Sequence, residues 1–279
     1  MKVVLITGAS SGIGRATALH FLKQGWMVAA AMRRPDVADL PCEERLRRYA
    51  LDVTEPVSVC ECVAAVERDC GGIDVLVNNA GVYLTKPLED GTDADYAAVF
   101  GTNVQGTLRV TRAVLPGFRC RRAGMIVNVS SVAGRVSFPF QSLYHGSKWA
   151  IEGWSEGLAH ELRPQGIRMK LVEPGMVRTP LYDRTRSQGE AVETEAYRED
   201  FASWRRYLLR CWEQGASPEA SARAIFRAAN DDSNRLRYTA GADTRQAFIL
   251  RAVLSQRAWD WLVRRLTGLR GQPELVGTP

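Results

Sequence analysis

A short β-branched strand running straight into a glycine-rich turn and then a helix constrains this chain more than any other feature. Val3-Val4-Leu5-Ile6 shows little alternation, as expected of a strand buried on both faces. Thr7-Gly8-Ala9-Ser10-Ser11-Gly12-Ile13-Gly14 follows, and Ala16, Leu19, Phe21 and Leu22 then recur at helical spacing. That order gives the turn a purpose. Glycines let backbone approach a pyrophosphate, and free amides at the helix start, from Gly12, Ile13 and Gly14, bind its charge. Ser10 and Ser11 add hydroxyl donors. A tight turn without a ligand is the competing reading, and it needs only two of the three glycines.

Later strand ends carry residues suited to the same ligand. Met27 to Met32 is apolar and ends at Arg33-Arg34. An acidic side chain at this end would accept from the adenosine ribose hydroxyls, whereas arginine suits a 2′-phosphate. Met32 stands in the acidic position, so NADP(H) is favoured over NAD(H); a basic loop is the plain alternative. Tyr49 to Leu51 reads as a third strand closed by Asp52-Val53-Thr54. Asp52 either accepts from an adenine amino group or caps the helix beginning near Pro56. Ile73 to Val77 reads as a fourth strand delivering Asn78-Asn79-Ala80-Gly81, where small and carboxamide residues let backbone lie against a cofactor and brace neighbouring loops. After a half-polar strand from Ile167 to Leu171, Pro174-Gly175-Met176-Val177-Arg178-Thr179 forms a turn in which Thr179 is suited to bond a carboxamide.

Between these segments, Tyr144 and Lys148 are four apart and precede a long apolar-periodic run, so they share one helix face. An ammonium one turn from a phenol lowers the cost of making phenolate, and with Lys148 and an oxidised nicotinamide ring as the available cations the expectation is a Tyr144 pKa lowered towards neutrality. Ser131 emerges at the carboxyl end of an apolar strand, Met125 to Val129. A hydroxyl donor, a tunable phenol and a fixed cation are what carbonyl/alcohol interconversion needs. A solvated Tyr and Lys on a helix is the alternative. Asn103 interrupts a helical pattern from Tyr96 to Leu115, where an asparagine is unfavourable without either a buried backbone partner or a water to orient.

Leu181 to Gly215 mixes many charges with Tyr182, Tyr197, Phe201, Trp204 and Tyr207. Without a continuous apolar face, it is expected to be a mobile lid over the site. Arg237 to Ala240 is the expected last strand. Leu250 to Leu266 is amphipathic, with Trp259 and Trp261 among arginines, and packing on the protein or a subunit is expected ahead of membrane-surface contact. Gly268 to Pro279 reads as a disordered tail, leaving one domain over residues 1–267.

Composition removes several functional classes. With 46% apolar and 24% charged residues, the 279-residue chain can bury a large core. Its net charge of +6 is spread over short arginine clusters rather than a block, which argues against a nucleic-acid arm. The apolar opening stops at Thr7-Gly8, too short for a signal peptide, and no run approaches a membrane span. Six cysteines without a CxxC pair point to reduced thiols in a cytoplasmic protein and away from a metal site.

The glycine turn, NNAG, the helix asparagine, the Ser-to-Tyr spacing, YxxxK and the PG turn occur in that order. Together they resemble the short-chain dehydrogenase/reductase family over roughly the first 180 residues. YHGSKWAIEGWSEGLAHEL is similar to the branch containing hydroxysteroid and retinol dehydrogenases and many bacterial reductases. Alternating strands and helices imply an α/β doubly wound parallel sheet. The resemblance implies a Rossmann-type sheet of seven strands in the order 3-2-1-4-5-6-7. On that likeness Ser131 polarises the substrate oxygen and Tyr144 exchanges a proton with it. Lys148 binds the nicotinamide ribose and biases Tyr144, Asn103 holds a water in a proton relay, and Asp52 contacts adenine. The implied protein is an NADP(H)-dependent oxidoreductase interconverting an apolar carbonyl and its alcohol, as a homodimer or homotetramer. Phe138, Phe140 and Tyr83-Leu84 are expected at the pocket wall. A catalytically silent NADP(H)-binding regulator is the alternative; a nucleotide-sugar epimerase needs a larger second part than the roughly 100 residues that remain.

Overall fold

The computed structural model describes residues 1–182 and 192–270. Its strands are β1 (Val3–Thr7), β2 (Met27–Met32), β3 (Leu46–Ala50), β4 (Val75–Asn78), β5 (Gly124–Val129), β6 (Ile167–Pro174) and β7 (Arg237–Ala240). Its α-helices are α1 (Gly12–Lys23), α2 (Pro56–Cys70), α3 (Asp93–Phe100), α4 (Thr107–Arg121), α5 (Ser142–Leu162), α6 (Arg198–Glu213), α7 (Pro218–Ala229), α8 (Ala242–Val253) and α9 (Gln256–Thr267). The strands form one parallel sheet in the order β3-β2-β1-β4-β5-β6-β7.

Both faces are covered, and the two-residue period of a strand divides its side chains between two cores. Val4 and Ile6 pack with Phe21 and Leu22 of α1 and with Ile225 and Ala228 of α7. Val3 and Leu5 pack on the other side with Val59 and Val63 of α2, Val110 and Val114 of α4, and Leu162 of α5. Each such buried side chain contributes about 1.5–3 kcal/mol.

β1 pairs with β2 on one side and β4 on the other. The chain winds outward to β3, returns across the sheet and continues from β4. The order reverses between β1 and β4, which opens a crevice beyond their carboxyl ends.

Several expected elements shift: β4 covers Val75–Asn78 rather than Ile73 to Val77, β6 runs past Leu171 to Pro174, and the stretch from Leu250 to Leu266 is divided between α8 and α9. The third strand covers Leu46–Ala50 rather than Tyr49 to Leu51, because Leu46 and Tyr49 point inward while Arg47 and Arg48 face water. The pattern from Tyr96 to Leu115 is not one α-helix. α3, opened by a Thr92–Asp95 capping box, passes into a π-helical turn at Gly101–Gly106 before α4. Asn103 lies in that turn.

At the carboxyl end, Trp259 and Val263 of α9 are buried against Val136, whereas Trp261 remains 60% exposed. Gly268 ends α9 at φ 70, and Arg270 then pairs with Glu199 at 3.0 Å and Asp200 at 3.3 Å. The start of the expected disordered tail is therefore anchored; residues 271–279 lie outside the described residues. Among the described residues, no helix is long and apolar enough to cross a membrane.

Candidate active site

A cleft of about 830 Å³ lies along the carboxyl ends of the strands. At one end are Ser10, Ser11, Gly12 and Ile13. Gly8 and Gly12 have φ of +68 and +53, which glycine adopts without strain. A Cβ on Gly14 would lie 2.3 Å from the Gly8 carbonyl oxygen and 2.5 Å from Asn79 Nδ2. Gly14 therefore sits behind the turn and lets α1 press against it, instead of lining the cleft. Ser11 is the N-cap of α1, its side chain makes no capping bond, and the first turn holds no acidic residue. The opening amides of α1 are thus left for an anion.

The ends of β1 and β4 are cross-braced. Asn79 Nδ2 donates to the Thr7 carbonyl at 2.9 Å and the Gly8 carbonyl at 3.2 Å, while Thr7 Oγ1 accepts from the Asn79 and Ala80 amides, each at 3.0 Å. Ala80 and Gly81 then reach the cleft wall. On its far side Pro174, Gly175, Val177 and Thr179 line the cavity. A Cβ on Gly12 would come within 3.1 Å of Thr179, so the two turns close on each other.

Arg33, Asp52 and Val53 form the outer end, and exposed Arg34 does not reach it. Asp52 Oδ1 accepts from the Thr54 amide at 2.9 Å and the Thr54 hydroxyl at 2.7 Å. Asp52 thereby fixes the turn ahead of α2, whose N-cap is Glu55. Burial alone would push its carboxyl up, but the Thr54 bonds and the Arg33 charge outweigh this and hold it below the usual range.

Ser131, Tyr144 and Lys148 meet midway along the cleft. β5 ends just before Ser131, whose Oγ accepts from the Ala133 amide at 3.1 Å. α5 carries the other two on one face, with Lys148 Nζ donating to the Val129 carbonyl at 3.0 Å and lying 5.8 Å from the Tyr144 ring centroid. The expected acidic phenol counted the oxidised nicotinamide ring as well as Lys148; the protein groups by themselves act in the opposite direction. Burial pushes Tyr144 up to about 12, against a downward pull from the Ser131 hydroxyl. Burial likewise lowers Lys148 to about 8, with the Glu152 carboxylate pulling it back up.

Asn103 is fully buried and does not line the cleft. Its Oδ1 accepts from the Val82 amide at 2.8 Å, and its Nδ2 donates to the Val82 carbonyl and to Ser147 Oγ, each at 3.0 Å. Its own carbonyl accepts from Thr107 Oγ1 at 2.7 Å. Of the two expected reasons for this residue, the structure supplies the buried backbone partner. Asn103 ties the segment after β4 to α5.

Beyond Tyr144 the cleft is aromatic. Tyr83 stands edge-on to Tyr144 at 4.9 Å, accepts from Gln141 Nε2, and is held well above the ordinary phenol pKa by burial and by the Tyr144 and Tyr182 phenols. Phe138 forms part of the wall, while Phe140 lies outside the cleft, packed edge-on to Phe201. The roof is α6. Contrary to expectation it has a continuous apolar face: Phe201, Trp204 and Leu208, at helical spacing, are buried against Tyr83, Phe138 and Met176. The arginines between them hid this stripe. Residues 183–191 of the expected lid lie outside the described residues. Sequence reasoning also passed over Gln141 and His145, although both lie close to Tyr144 in sequence; nothing in YHGSK shows that the histidine is buried.

The sequence profile of the short chain dehydrogenase family matches residues 2–190. A 3-ketodihydrosphingosine reductase of Bacteroides thetaiotaomicron is 34% identical over 224 residues, covering 80% of this chain and 82% of that one. The solved structure of ElxO with NADP bound has a TM-score of 0.70 and 30% identity, covering 86% of this chain and 98% of that one. A short-chain dehydrogenase/reductase of Burkholderia phymatum in complex with NAD has a TM-score of 0.76 and 26% identity, covering 99% and 98%. The glycine turn at the strand-order reversal, the Ser131-Tyr144-Lys148 cluster and these likenesses agree, and this chain belongs to the short-chain dehydrogenase/reductase family of oxidoreductases.

Proposed function

We propose that this protein is an NADP(H)-dependent oxidoreductase that interconverts an apolar carbonyl and its alcohol, with Tyr144 as the acid/base. The observation that carries the reading is the convergence of a hydroxyl, a phenol and an ammonium where the phosphate-binding half of the cleft meets its aromatic half. The residues present fit a dinucleotide, because the first-turn amides of α1 are uncapped and Ser10, Ser11, Gly12 and Ile13 line the cleft beside them. When bound, the nicotinamide cofactor supplies or accepts the hydride.

The chain does the rest. Gly8 to Ile13 would present amides to the pyrophosphate, and Ala80, Gly81, Pro174, Gly175, Val177 and Thr179 would confine the nicotinamide end. Lys148 would bond the ribose. Ser131 and Tyr144 donate to the substrate oxygen, and in reduction Tyr144 gives up its proton as the carbonyl becomes an alcohol. The buried neutral phenol is already in the state that step requires. In oxidation the proton moves back, and the phenolate receives it. Asn103 acts through its bonds to Val82 and Ser147, which position this segment against α5.

A panel of apolar ketones and aldehydes with NADPH tests the reading. Oxidation of NADPH by at least one of them is expected; tight NADPH binding without turnover across the panel would favour a silent binding protein. Preference for NADPH rests on Arg33, since Met32 offers no acceptor to the ribose. A charge-assisted contact is worth about 1.5–3 kcal/mol, so Arg33→Ser should weaken NADPH about ten- to a hundredfold and NADH little. Arg34→Ser should have the smaller effect, because Arg34 lies off the cleft. Fluorescence titration of both cofactors reads the difference, and equal affinities in the unaltered protein would overturn it.

A further inference from the structure

We propose that His145 is a positioning residue whose single imidazole sets both the Ser131 hydroxyl and the Phe138 wall. It follows Tyr144 on α5 and is only 4% exposed. Its Nε2 accepts from the Phe138 amide at 3.0 Å. A ring nitrogen that accepts carries no proton, so in the neutral ring the proton is on Nδ1, 2.9 Å from the Ala133 carbonyl to which it donates. Burial favours this neutral ring. Both nitrogens are committed to backbone, and one tautomer is selected.

The two bonds lead to the chemistry from opposite sides. Ala133, whose carbonyl His145 holds, donates its amide to Ser131 Oγ at 3.1 Å. Phe138, whose amide His145 holds, lines the cleft and stacks on Trp204 at 6.1 Å. Val136, between the two clamped residues, donates its amide to the Val132 carbonyl at 3.0 Å and is buried against Trp259 and Val263. Past it the backbone is irregular, and His145 Nε2 is what holds the Phe138 amide. One helix thus carries the proton donor and, one residue on, the clamp for its hydroxyl partner. Misplacement of reacting groups by about 1 Å can cost a hundredfold in rate, so such a clamp matters to turnover.

This inference rests on the roles proposed for Ser131 and Tyr144, and two measurements separate it from them. His145→Leu keeps bulk and loses both bonds, while His145→Gln retains a donor and an acceptor. In His145→Leu, kcat should fall about tenfold or more with the NADPH dissociation constant unchanged, and amide exchange should quicken across residues 132–138. His145→Gln should recover most of the rate and the protection. Unchanged kcat in His145→Leu overturns the proposal. So does an equal loss in both variants accompanied by a general fall in stability without local change in exchange, which marks a merely structural histidine. If the unaltered protein turns over no carbonyl, the proposed function falls, and unaltered exchange across 132–138 in His145→Leu then also removes the clamp.

Discussion

Replacing Tyr144 with phenylalanine should cut turnover by about two orders of magnitude or more, while fold and NADPH affinity stay close to unchanged. Only a hydroxyl is lost. The ring keeps its edge-on contact with Tyr83 and its place beside Lys148. What disappears is the proton that reduction must deliver to the substrate oxygen. Because burial pushes this phenol up to about 12, the two directions should differ in their response to pH. Reduction uses the neutral form and should be nearly flat until the phenol begins to ionise. Oxidation uses the phenolate, so its rate should rise about tenfold per pH unit below the phenol's pKa in the reacting complex. Lys148→Met should lose turnover and weaken cofactor binding too, since the same ammonium is bonded to the Val129 carbonyl and faces the cleft. Steady-state rates in both directions between about pH 6 and pH 10 check these expectations. Near-normal turnover by Tyr144→Phe would falsify the assignment of Tyr144 as acid/base.

The parts of this protein legible in its sequence are those that local chemistry dictates. Val3 to Gly14 could hardly be anything but a buried strand, a close-approach turn and a helix, and the structure adds the reason Gly14 is needed. Seven strands could be counted because six of them are mainly apolar. β3 was misplaced because an edge strand with Arg47 and Arg48 outward carries too little alternation to be bounded. Tyr144 and Lys148 were visible from spacing alone, yet the sign of the Tyr144 shift was not. Spacing shows the nearby cation, whereas the burial that pushes the phenol up comes from residues distant in sequence, such as Tyr83, whose ring stands edge-on to Tyr144 from after β4. Asn103 was visible as an anomaly, but its partners Val82 and Ser147 lie on other elements. His145 was overlooked for a similar reason. Its two backbone partners belong to a segment with no periodicity to read.

The roof of the site supplies the second large effect: Trp204→Ala should destabilise the ligand-free protein by about 3–5 kcal/mol. Trp204 is 1% exposed and lies at the centre of the cluster that joins α6 to the rest of the cleft. Its Nε1 donates to Thr85 Oγ1 at 3.1 Å, and its ring stacks on Phe138. Truncation removes a large apolar surface, leaves a cavity beside Phe201 and Leu208, and takes a donor from Thr85. Trp204→Phe keeps most of the ring and loses the N–H, so it should cost only about 1–2 kcal/mol. Denaturant unfolding measures both. A fixed roof also predicts that the α6 amides are protected from exchange before any cofactor or substrate is added, since its apolar face is already buried. A loosely held lid predicts the opposite pair of results: Trp204→Ala with nearly unchanged stability, and α6 amides that become protected only when ligand binds. In kinetics, opening the wall should raise KM for apolar substrates more than it lowers kcat, because Trp204 lines the aromatic half of the cleft and does not reach the phenol that moves the proton.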